Sequence, residues 1–320
     1  MLKMDATLVV LLALGLTMAA ATPVQYESDL DNALDSALDE DLDLPTNLRM
    51  AGGKIVPPGN DNYRFMVAIQ PQYVENGATL SAPVCSGVLI AGFNRAVTPV
   101  TPAYWVLTSA HCALSGTSYQ LFVGNNKITT QAANETITAA DAPTRVTINS
   151  EYRESMLTGD LALISVTSIV PNTVSGPGGL TAARLSTVSD ASKSFLINPV
   201  TMAGWGYPND VFNGPSPSLR ELTSWVVPNW YCAVRHLTLP VRRTHMCTAG
   251  LPNKGPCTGD SGAPLLATIR VNGTDTVRVV GLATHTPRDG CSRGKPGVFT
   301  RIGDYLDWIV QVTGYDADTA

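Results

Sequence analysis

The sequence predicts an all-β fold, either a sandwich or a barrel, that ends in one α-helix. Short apolar or β-branched runs recur from residue 50 onward and are separated by Gly, Pro, Asn and Asp, as expected for strands joined by turns. The clearest runs are residues 65–69, 84–90, 104–107, 161–166 and 277–282. Helical spacing occurs near the end, where one face carries Ile302, Tyr305, Leu306, Ile309 and Val310.

Length and composition favour a well-packed body. The chain has 320 residues, of which 44% are apolar and 15% are charged, so it can bury a substantial core. A looser segment rich in Pro and Gly, residues 171–179, divides the body into two halves of comparable length.

The first residues predict an export signal. Lys3 precedes an apolar run at residues 8–18, which is followed by three alanines, so we expect a signal peptide over residues 1–21. The run is too short to span a bilayer, and no later stretch is long enough, so no membrane partner is expected. Two glycosylation sequons, at Asn134 and Asn272, agree with a secreted, extracellular protein.

The acidity of the chain is confined to residues 22–49. This segment carries eight acids and one base, Arg49, whereas residues 50–320 carry a net charge of +2. A body so close to neutral gives no electrostatic reason to expect a nucleic acid partner. We expect the acidic segment to be solvated; alternatively, its leucines at 30, 34, 38 and 42 form an amphipathic helix that docks on the body.

Six cysteines in an exported chain predict three disulfides, although the sequence alone allows 15 pairings. A zinc site is the alternative for Cys232, His236, His245 and Cys247. Their spacing fits no common zinc-ligand pattern and the compartment is oxidising, so disulfides are favoured.

Three short stretches carry the side chains of nucleophilic catalysis. "LTSAHC" contains His111, "GDLALI" contains Asp160, and "CTGDSGAPL" contains Ser261. Each alone has a structural explanation, as a packed histidine, a turn into a strand or a tight loop. Together they supply a nucleophile, a base and the carboxylate that orients the base.

With "MAGWG" at 202–206, "KPGVFT" at 295–300 and the C-terminal helix, these stretches make residues 50–315 resemble the chymotrypsin family of serine proteases. The resemblance implies a protease domain at residues 50–320, built from two six-stranded antiparallel β-barrels at about 50–175 and 176–300. The active site would lie in the cleft between them, and a helix at about 302–313 would follow.

The resemblance also implies a role for each site residue. Ser261 would attack the peptide carbonyl, His111 would act as base and then acid, and Asp160 would orient His111. The N–H groups of Gly259 and Ser261 would form the oxyanion hole. The implied disulfides join Cys85 to Cys112, Cys232 to Cys247 and Cys257 to Cys291.

The same comparison gives an uncharged substrate pocket. Gly255 would form its floor, Thr286 would narrow its mouth and Gly297 would leave space deeper in, which favours small or medium apolar side chains. Asp289 would be a solvated rim residue. Residues 284–286 would pair with the substrate, and Thr284 would offer its hydroxyl to Asp160.

Two positions depart from the family pattern in ways that could weaken substrate binding or shift the backbone. His285 stands where the family usually has Trp, and Ala263 replaces the second Gly of the usual Gly-Asp-Ser-Gly-Gly.

Activation is expected to follow the family pattern. Residues 22–49 would be an activation propeptide, cut after Arg49 by another protease, and the new Met50 α-ammonium would pair with Asp260. The glycines at 52 and 53 suit the required swing. A cut after Lys54 is the alternative, which the following Pro57 and Pro58 disfavour.

The expected function is therefore a secreted serine endopeptidase made as a zymogen. A catalytically inactive homologue that binds or inhibits is the alternative, and an esterase on another fold is poorly supported because the order of the three residues differs. We expect protein or peptide substrates, protein protease inhibitors as further partners, a monomer and no cofactor. No metal is expected, since residues 124–134, where calcium-binding relatives gather carboxylates, contain none.

Overall fold

The computed structural model of the chain describes residues 53–57, 60–94, 101–124, 126–128, 133–171, 179–187, 190, 195–210, 214–236, 239–271, 273–287 and 290–316. The predicted signal peptide and acidic segment lie outside the described residues, as do Arg49, Met50, Asn272 and Asp289. Among the helices of the described residues, none is both long and apolar enough to cross a membrane.

Strands dominate the described residues, in agreement with the sequence prediction. In chain order they are β1 (Lys54–Ile55), β2 (Met66–Glu75), β3 (Ala78–Ser81), β4 (Cys85–Asn94), β5 (Thr101–Thr108), β6 (Ser118–Val123), β7 (Ala133–Ile137), β8 (Val146–Ile148), β9 (Ala162–Val166), β10 (Pro199–Gly204), β11 (Arg220–Val227), β12 (His245–Thr248), β13 (Pro264–Val271), β14 (Thr274–His285) and β15 (Gly297–Arg301). The helical segments are Asp61–Tyr63, Ala110–Leu114, Ala142–Arg145, Asn229–Arg235, Ile302–Tyr305 and Leu306–Thr313.

The C-terminal half forms a closed barrel of six antiparallel strands. Its pairing order is β11-β10-β13-β14-β15-β12, and β12 pairs back to β11, where Val227 opposes Cys247. β1 adds to the same sheet, because Lys54 opposes Glu221 on β11. The sheet of the second half therefore includes a strand from the start of the body.

The N-terminal half forms a second, barrel-like sheet with a different strand count. Its order is β7-β6-β2-β4-β5-β9-β8, with β3 paired to β2, and no pairing within the described residues closes it. The expected all-β fold with two barrel-like sheets is confirmed. This sheet differs from the expected six-stranded barrel, because it has eight strands and forms an open half-barrel. The extra strand arises from a tight turn at Asn76 and Gly77, whose φ angles of 52° and 78° suit a two-residue hairpin.

Alternating side chains build the core of the N-terminal sheet. On β6, Tyr119, Leu121 and Val123 are buried while the residues between them are partly exposed, as the two-residue period of a strand requires. They pack with Ile69 and Leu89 in one apolar cluster. The C-terminal barrel has its own cluster around buried apolar side chains that include Met202, Leu265, Val280 and Phe299.

The predicted C-terminal helix is present. Its first turn, Ile302–Tyr305, is a 3₁₀ helix that leads into the α-helix Leu306–Thr313. Four residues of the predicted apolar face are buried against the core, namely Ile302, Tyr305, Leu306 and Ile309. The helix ends at Gly314, whose φ of 65° is the left-handed conformation that glycine adopts at little cost.

All three disulfides form the pairs that the resemblance implied. Cys85 is bonded to Cys112, Cys232 to Cys247 and Cys257 to Cys291, with Cα–Cα distances of 6.2, 6.2 and 5.1 Å. Cys232 and Cys247 are therefore bonded to each other, and the zinc alternative for these thiols fails. The two histidines of that alternative instead face backbone carbonyls, His236 that of Pro296 at 2.7 Å and His245 that of Leu157 at 3.0 Å.

Glu135 is a buried carboxylate that holds the edge of the N-terminal sheet. It is 6% exposed and forms an ion pair with Arg145. Its oxygens also accept the N–H groups of Thr167 at 2.9 Å, Ser168 at 2.8 Å and Ile169 at 3.0 Å. Burial raises the pKa of Glu135, but Arg145 and the three N–H donors outweigh burial and leave it below its usual value.

Replacing Glu135 by Gln should lower the free energy of unfolding by about 3 kcal/mol at pH 7, because the partly buried Arg145 guanidinium loses its anion and the three N–H groups lose a charged acceptor. The measurement is urea unfolding with the disulfides intact, and the control is Glu75→Gln, an exposed strand residue. Since the folded pKa is lowered, the contribution is full above the ordinary value of 4.5 and is lost as the pH falls through the folded pKa. A difference from wild type that stays constant down to pH 2 would contradict this account.

Candidate active site

Asp160 is fully buried, and its carboxylate is surrounded by donors. It is 0% exposed. Its Oδ1 accepts the backbone N–H of His111 at 3.0 Å, and its Oδ2 lies 2.8 Å from His111 Nδ1. The Thr284 hydroxyl also donates to Oδ2, as the sequence led us to expect. Because a carboxylate only accepts, Nδ1 carries a proton, and Nε2 of the neutral ring is left as the base.

This environment shifts the pKa of His111. Burial lowers the pKa, but the charge of Asp160 and its hydrogen bond to the ring raise it more, so the pKa lies above the ordinary 6.5. The helix Ala110–Leu114 that follows β5 carries the ring. The arrangement stabilises the imidazolium. This suits a general base, which must take up a proton during the reaction.

Ser261 lies on the same cleft as His111, in a tight loop between two glycines. Gly259 has a φ of 92° and Gly262 a φ of 77°. A Cβ at Gly262 would collide with the Ser86 carbonyl oxygen and the Thr108 hydroxyl, so the loop can approach the N-terminal sheet only with glycine here. The cleft has a volume of about 780 Å³. Within the described residues, no hydrogen bond joins Ser261 Oγ to His111.

The backbone of this loop presents two N–H groups without a protein acceptor. The N–H groups of Asp260 and Gly262 donate to Cys257 O at 2.9 Å and Ala283 O at 2.8 Å. Those of Gly259 and Ser261 donate to no acceptor in the part of the chain that the structure describes. These are the two groups predicted to form the oxyanion hole, and that role stays a prediction.

Asp260 is a second buried carboxylate, directly before Ser261. It is 0% exposed and accepts the N–H groups of Gly206 and Cys257, each at 2.9 Å. Burial raises its pKa to about 7, although the two N–H donors and the charge of Arg220 oppose the rise. A Cβ at Gly204 or Gly206 would collide with this carboxylate, which explains both glycines of "MAGWG".

The predicted substrate-binding residues fall into two groups. Thr284, His285 and Thr286 line the cleft with His111 and Ser261. Gly255 and Gly297 are not among the lining residues. The Cβ side of Gly297 is filled, since an added Cβ would lie 2.8 Å from Thr248 Oγ1 and 2.9 Å from a Phe299 ring carbon. This glycine thus allows close packing on that side, and the predicted pocket roles of Gly255 and Gly297 stay predictions.

Comparisons with known proteins agree with this geometry. The family model Trypsin matches residues 61–309, which is more than half of the chain. The chain belongs to the trypsin family. Brachyurin of Leptuca pugilator is 32% identical over 213 residues, which cover 66% of this chain and 84% of that protein. Chymotrypsin-2 of Vespa crabro is 30% identical over 206 residues, which cover 64% of this chain and 83% of that protein.

Comparison with solved structures supports the same fold. A solved structure of HL collagenase has a TM-score of 0.64 and covers 82% of this chain and 98% of its own. At 22% identity this likeness speaks for the fold alone. As a member of the trypsin family, the chain is a serine endopeptidase that acts on proteins or peptides.

The two departures from the trypsin-family pattern are accommodated differently. Ala263 is buried in the barrel core, and its N–H and carbonyl bond to Asp260 O and Ala283 N, each at 2.8 Å. The extra methyl group therefore costs no backbone hydrogen bond. His285 lines the cleft and packs edge-on against the buried His236, with ring centroids 5.4 Å apart, so a buried imidazole supports it from behind.

Sequence reasoning missed part of the cleft of this trypsin-family enzyme. Glu154, Ser155 and Leu157 line it from the loop before Asp160. Ser109 was also missed, although its hydroxyl donates to Ala283 O at 2.9 Å and so links the two sheets beside the site. No local pattern marks these residues, because each takes its role from a segment distant in the sequence.

Replacing Asp160 by Asn should lower kcat/KM by about 10⁴-fold, the size associated with loss of this carboxylate in a Ser-His-Asp triad. The wild-type acid limb of kcat/KM should lie above pH 6.5, because the raised pKa of His111 leaves the base protonated below that point. Steady-state kinetics from pH 5 to 9 measure both. The exposed Asp307→Asn should stay within about twofold of wild type. An acid limb at or below pH 6.5 would contradict the proposed tuning.

Proposed function

We propose that the chain is a secreted serine endopeptidase, made as a zymogen, in which Ser261, His111 and Asp160 form the catalytic triad. One observation carries the proposal. The buried Asp160 carboxylate is bonded to both His111 and Thr284, on a cleft that also holds Ser261. A carboxylate is costly to bury, and one that fixes an imidazole beside a serine is the arrangement that acyl transfer needs.

Each group then has a defined step. Ser261 Oγ attacks the carbonyl carbon while His111 Nε2 takes its proton, and the N–H groups of Gly259 and Ser261 stabilise the oxyanion. His111 gives the proton to the departing amine, which leaves an acyl enzyme. Water then attacks the acyl carbon in the same way and releases the new carboxylate. Asp160 keeps its charge throughout and stabilises the imidazolium.

The substrate preference should be for small or medium apolar side chains at the residue before the cleaved bond. Gly255, at the proposed pocket floor, carries no charge, and Thr286, which lines the cleft, is proposed to narrow the entrance. A lysine or arginine side chain would lose several kcal/mol of hydration on burial there without a carboxylate to replace it.

A homologue that binds proteins without cleaving them is the alternative function. Within the described part of the chain the N–H groups of Gly259 and Ser261 donate to no acceptor, which supports catalysis because two such donors can stabilise an oxyanion. Protein protease inhibitors, which occupy such clefts as substrates do, are proposed as further partners, and a monomer as the functional state.

A signal-like N-terminus, three disulfides and an exposed glycosylation sequon support secretion. Residues 1–21 have the pattern of a signal peptide, and three disulfides are typical of exported proteins. Asn134, one of the two predicted glycosylation sites, is exposed on β7, at an edge of the N-terminal sheet, where a glycan could be attached without disturbing the core.

Activation is proposed to occur by a cut after Arg49. Gly53, four residues further on, is already buried, and its carbonyl accepts the Arg220 guanidinium at 3.3 Å. Arg220 in turn attracts the Asp260 carboxylate. Three residues of extended chain reach about 10 Å, so a free Met50 ammonium starts within reach of this buried site. An ammonium would give the buried Asp260 carboxylate a close cationic partner and so offset the burial that raises its pKa to about 7.

A cut after Lys54 is disfavoured by the strand that it would break. Lys54 and Ile55 form β1 on the edge of β11, and the Val56 N–H donates to Leu219 O at 2.9 Å. To reach Asp260, an Ile55 ammonium would have to leave this pairing and carry the buried Val56 with it. The loss of two strand pairs and one buried side chain opposes that movement.

The function is tested by labelling and kinetics on the activated chain. A fluorophosphonate probe should label wild type and leave Ser261→Ala unlabelled. With active sites counted by the probe, kcat/KM for peptides ending in Ala, Val, Leu or Phe should exceed that for Arg by about 100-fold or more. Absent labelling in a folded preparation would favour the binding protein. If Arg peptides are cleaved fastest, the proposed pocket is wrong while the triad stands.

The activation site is tested with matched variants of the two basic residues. Arg49→Gln should remain uncut and show activity at least about 100-fold below the activated wild type, a loss comparable to that of an oxyanion-hole donor. Lys54→Gln should be cut and active as wild type. N-terminal sequencing of the active form should begin at Met50. A start at Ile55, or full activity from an uncut Arg49→Gln chain, would overturn the proposed site.

A further inference from the structure

The loop before Asp160 forms one wall of the cleft and has a strained backbone. Glu154, Ser155 and Leu157 line the cleft, and a bridge between Arg153 and Thr158 closes the base of the loop. Leu157 has a φ of 51°, in the left-handed region that residues with a Cβ avoid. Such a conformation persists only where the surrounding structure holds it.

His245 is the side chain that holds Leu157. Its Nε2 lies 3.0 Å from the Leu157 carbonyl oxygen, and its Nδ1 accepts the Arg242 backbone N–H at 3.0 Å. Because a backbone N–H can only donate, Nδ1 carries no proton, and the Nε2–H donates to Leu157. The side chain is 0% exposed, and both ring nitrogens are satisfied in the neutral form.

The charge state of the ring agrees with this assignment. Burial lowers the pKa of His245, and the nearby Arg242 lowers it further, although the bond to Leu157 and the charge of Asp160 act in the opposite direction. The neutral tautomer is the form that makes both hydrogen bonds.

The imidazole is anchored on the closed barrel. His245 lies on β12 and pairs with Thr300 on β15, and the Asn229 amide donates to the carbonyls of Arg242 at 2.7 Å and His245 at 2.9 Å. The cleft loop belongs to the other half of the chain. His245 therefore fixes a wall of the cleft from the opposite barrel, and the Tyr305 hydroxyl, which accepts the Gly159 N–H at 2.8 Å, fixes the same loop two residues later.

We propose that His245 is a positioning residue for substrate selectivity, which fixes the Leu157 backbone and so holds the Leu157 side chain on the cleft wall, where an extended peptide would contact it. The inference rests on the proposed peptidase function and deepens it. It assigns selectivity at a second substrate residue to an imidazole that does not itself line the cleft. Extended peptides that reach Leu157 should depend on His245, whereas short substrates that fill only the primary pocket should not.

Three substitutions separate positioning from general packing. His245→Gln places an amide donor near the Nε2 position and can still reach Leu157 O. His245→Asn places its amide near Nδ1, so it can bond Arg242 but cannot reach Leu157. His245→Leu removes both bonds. If the role of His245 is purely structural, activity on extended peptides should follow the stability of the variants. If His245 positions Leu157, the Gln variant should keep that activity and the Asn variant should lose it.

The measurement compares an extended tetrapeptide anilide with an acetyl amino-acid ester that has the same residue at the cleaved bond. For His245→Asn and His245→Leu we expect KM for the tetrapeptide to rise about 10-fold, the equivalent of one lost hydrogen bond. Their kinetics on the ester should stay within about twofold of wild type, and His245→Gln should keep the wild-type ratio between the two substrates. Equal losses on both substrates, or an unchanged ratio in His245→Asn, would overturn the proposal.

A binding experiment keeps this test independent of catalysis. In a Ser261→Ala background, Kd for a fluorescent form of the same tetrapeptide should rise about 10-fold with His245→Asn and should not rise with His245→Gln. If wild type fails to react with the fluorophosphonate, the peptidase proposal falls, while these affinities still decide the role of His245. Equal affinities for the Asn and Gln variants would overturn that role whether or not the chain is active.

Discussion

The burial of the Asp160 carboxylate is the constraint on which the site depends. Asp160 lies two residues before β9 of the N-terminal sheet, whereas Thr284, one of its donors, lies on β14 of the closed barrel. A carboxylate without access to water needs hydrogen-bond donors from the protein. Because the donors of Asp160 come from both halves of the body, these bonds favour one arrangement of the two sheets. Other bonds across the same seam, such as Ser86 N–H to Ser261 O at 2.8 Å, act in the same direction.

Features that depend on local sequence could be predicted, and features that depend on distant contacts could not. Strand runs, the apolar face from Ile302 to Ile309 and the contexts of His111, Asp160 and Ser261 are all visible within a few residues. The disulfide pairing needed the family resemblance, since geometry between distant cysteines leaves no local trace. Strand β3 had a local signal in the Asn76 and Gly77 turn, but the added strand could be recognised only from its pairing with β2.

The cleft shows most clearly where sequence reasoning ends. Leu157 is an ordinary apolar residue by sequence, and its positive φ follows from the loop closed by Arg153 and Thr158. His245 was notable only for its place among cysteines, which suggested metal. Its role depends on a carbonyl 88 positions earlier in the chain, and no periodicity or spacing rule connects such a pair.

The buried carboxyl groups of Glu135, Asp160 and Asp260 show how different surroundings act on the same functional group. The ion pair with Arg145 and the N–H donors keep the pKa of Glu135 below its usual value. Asp260 has two N–H donors but no ion pair with any described residue, and burial raises its pKa to about 7. Asp160 is held by an imidazole whose own pKa it raises. Of these three acids, Asp260 is therefore the one whose pKa a new positive charge nearby would lower most.

The pairing of β1 has a consequence for how such a protein could arise or be divided. Lys54 and Ile55 begin the body, but they pair with Glu221 and Arg220 on β11 of the closed barrel. A fragment that holds only residues 176–320 would therefore leave part of the β11 edge bare, and bare edges recruit other strands. Although the chain has two sheets in succession, the second half is not a self-contained module. A recombination event that exchanged the second half alone would have to bring the first few residues of the body with it.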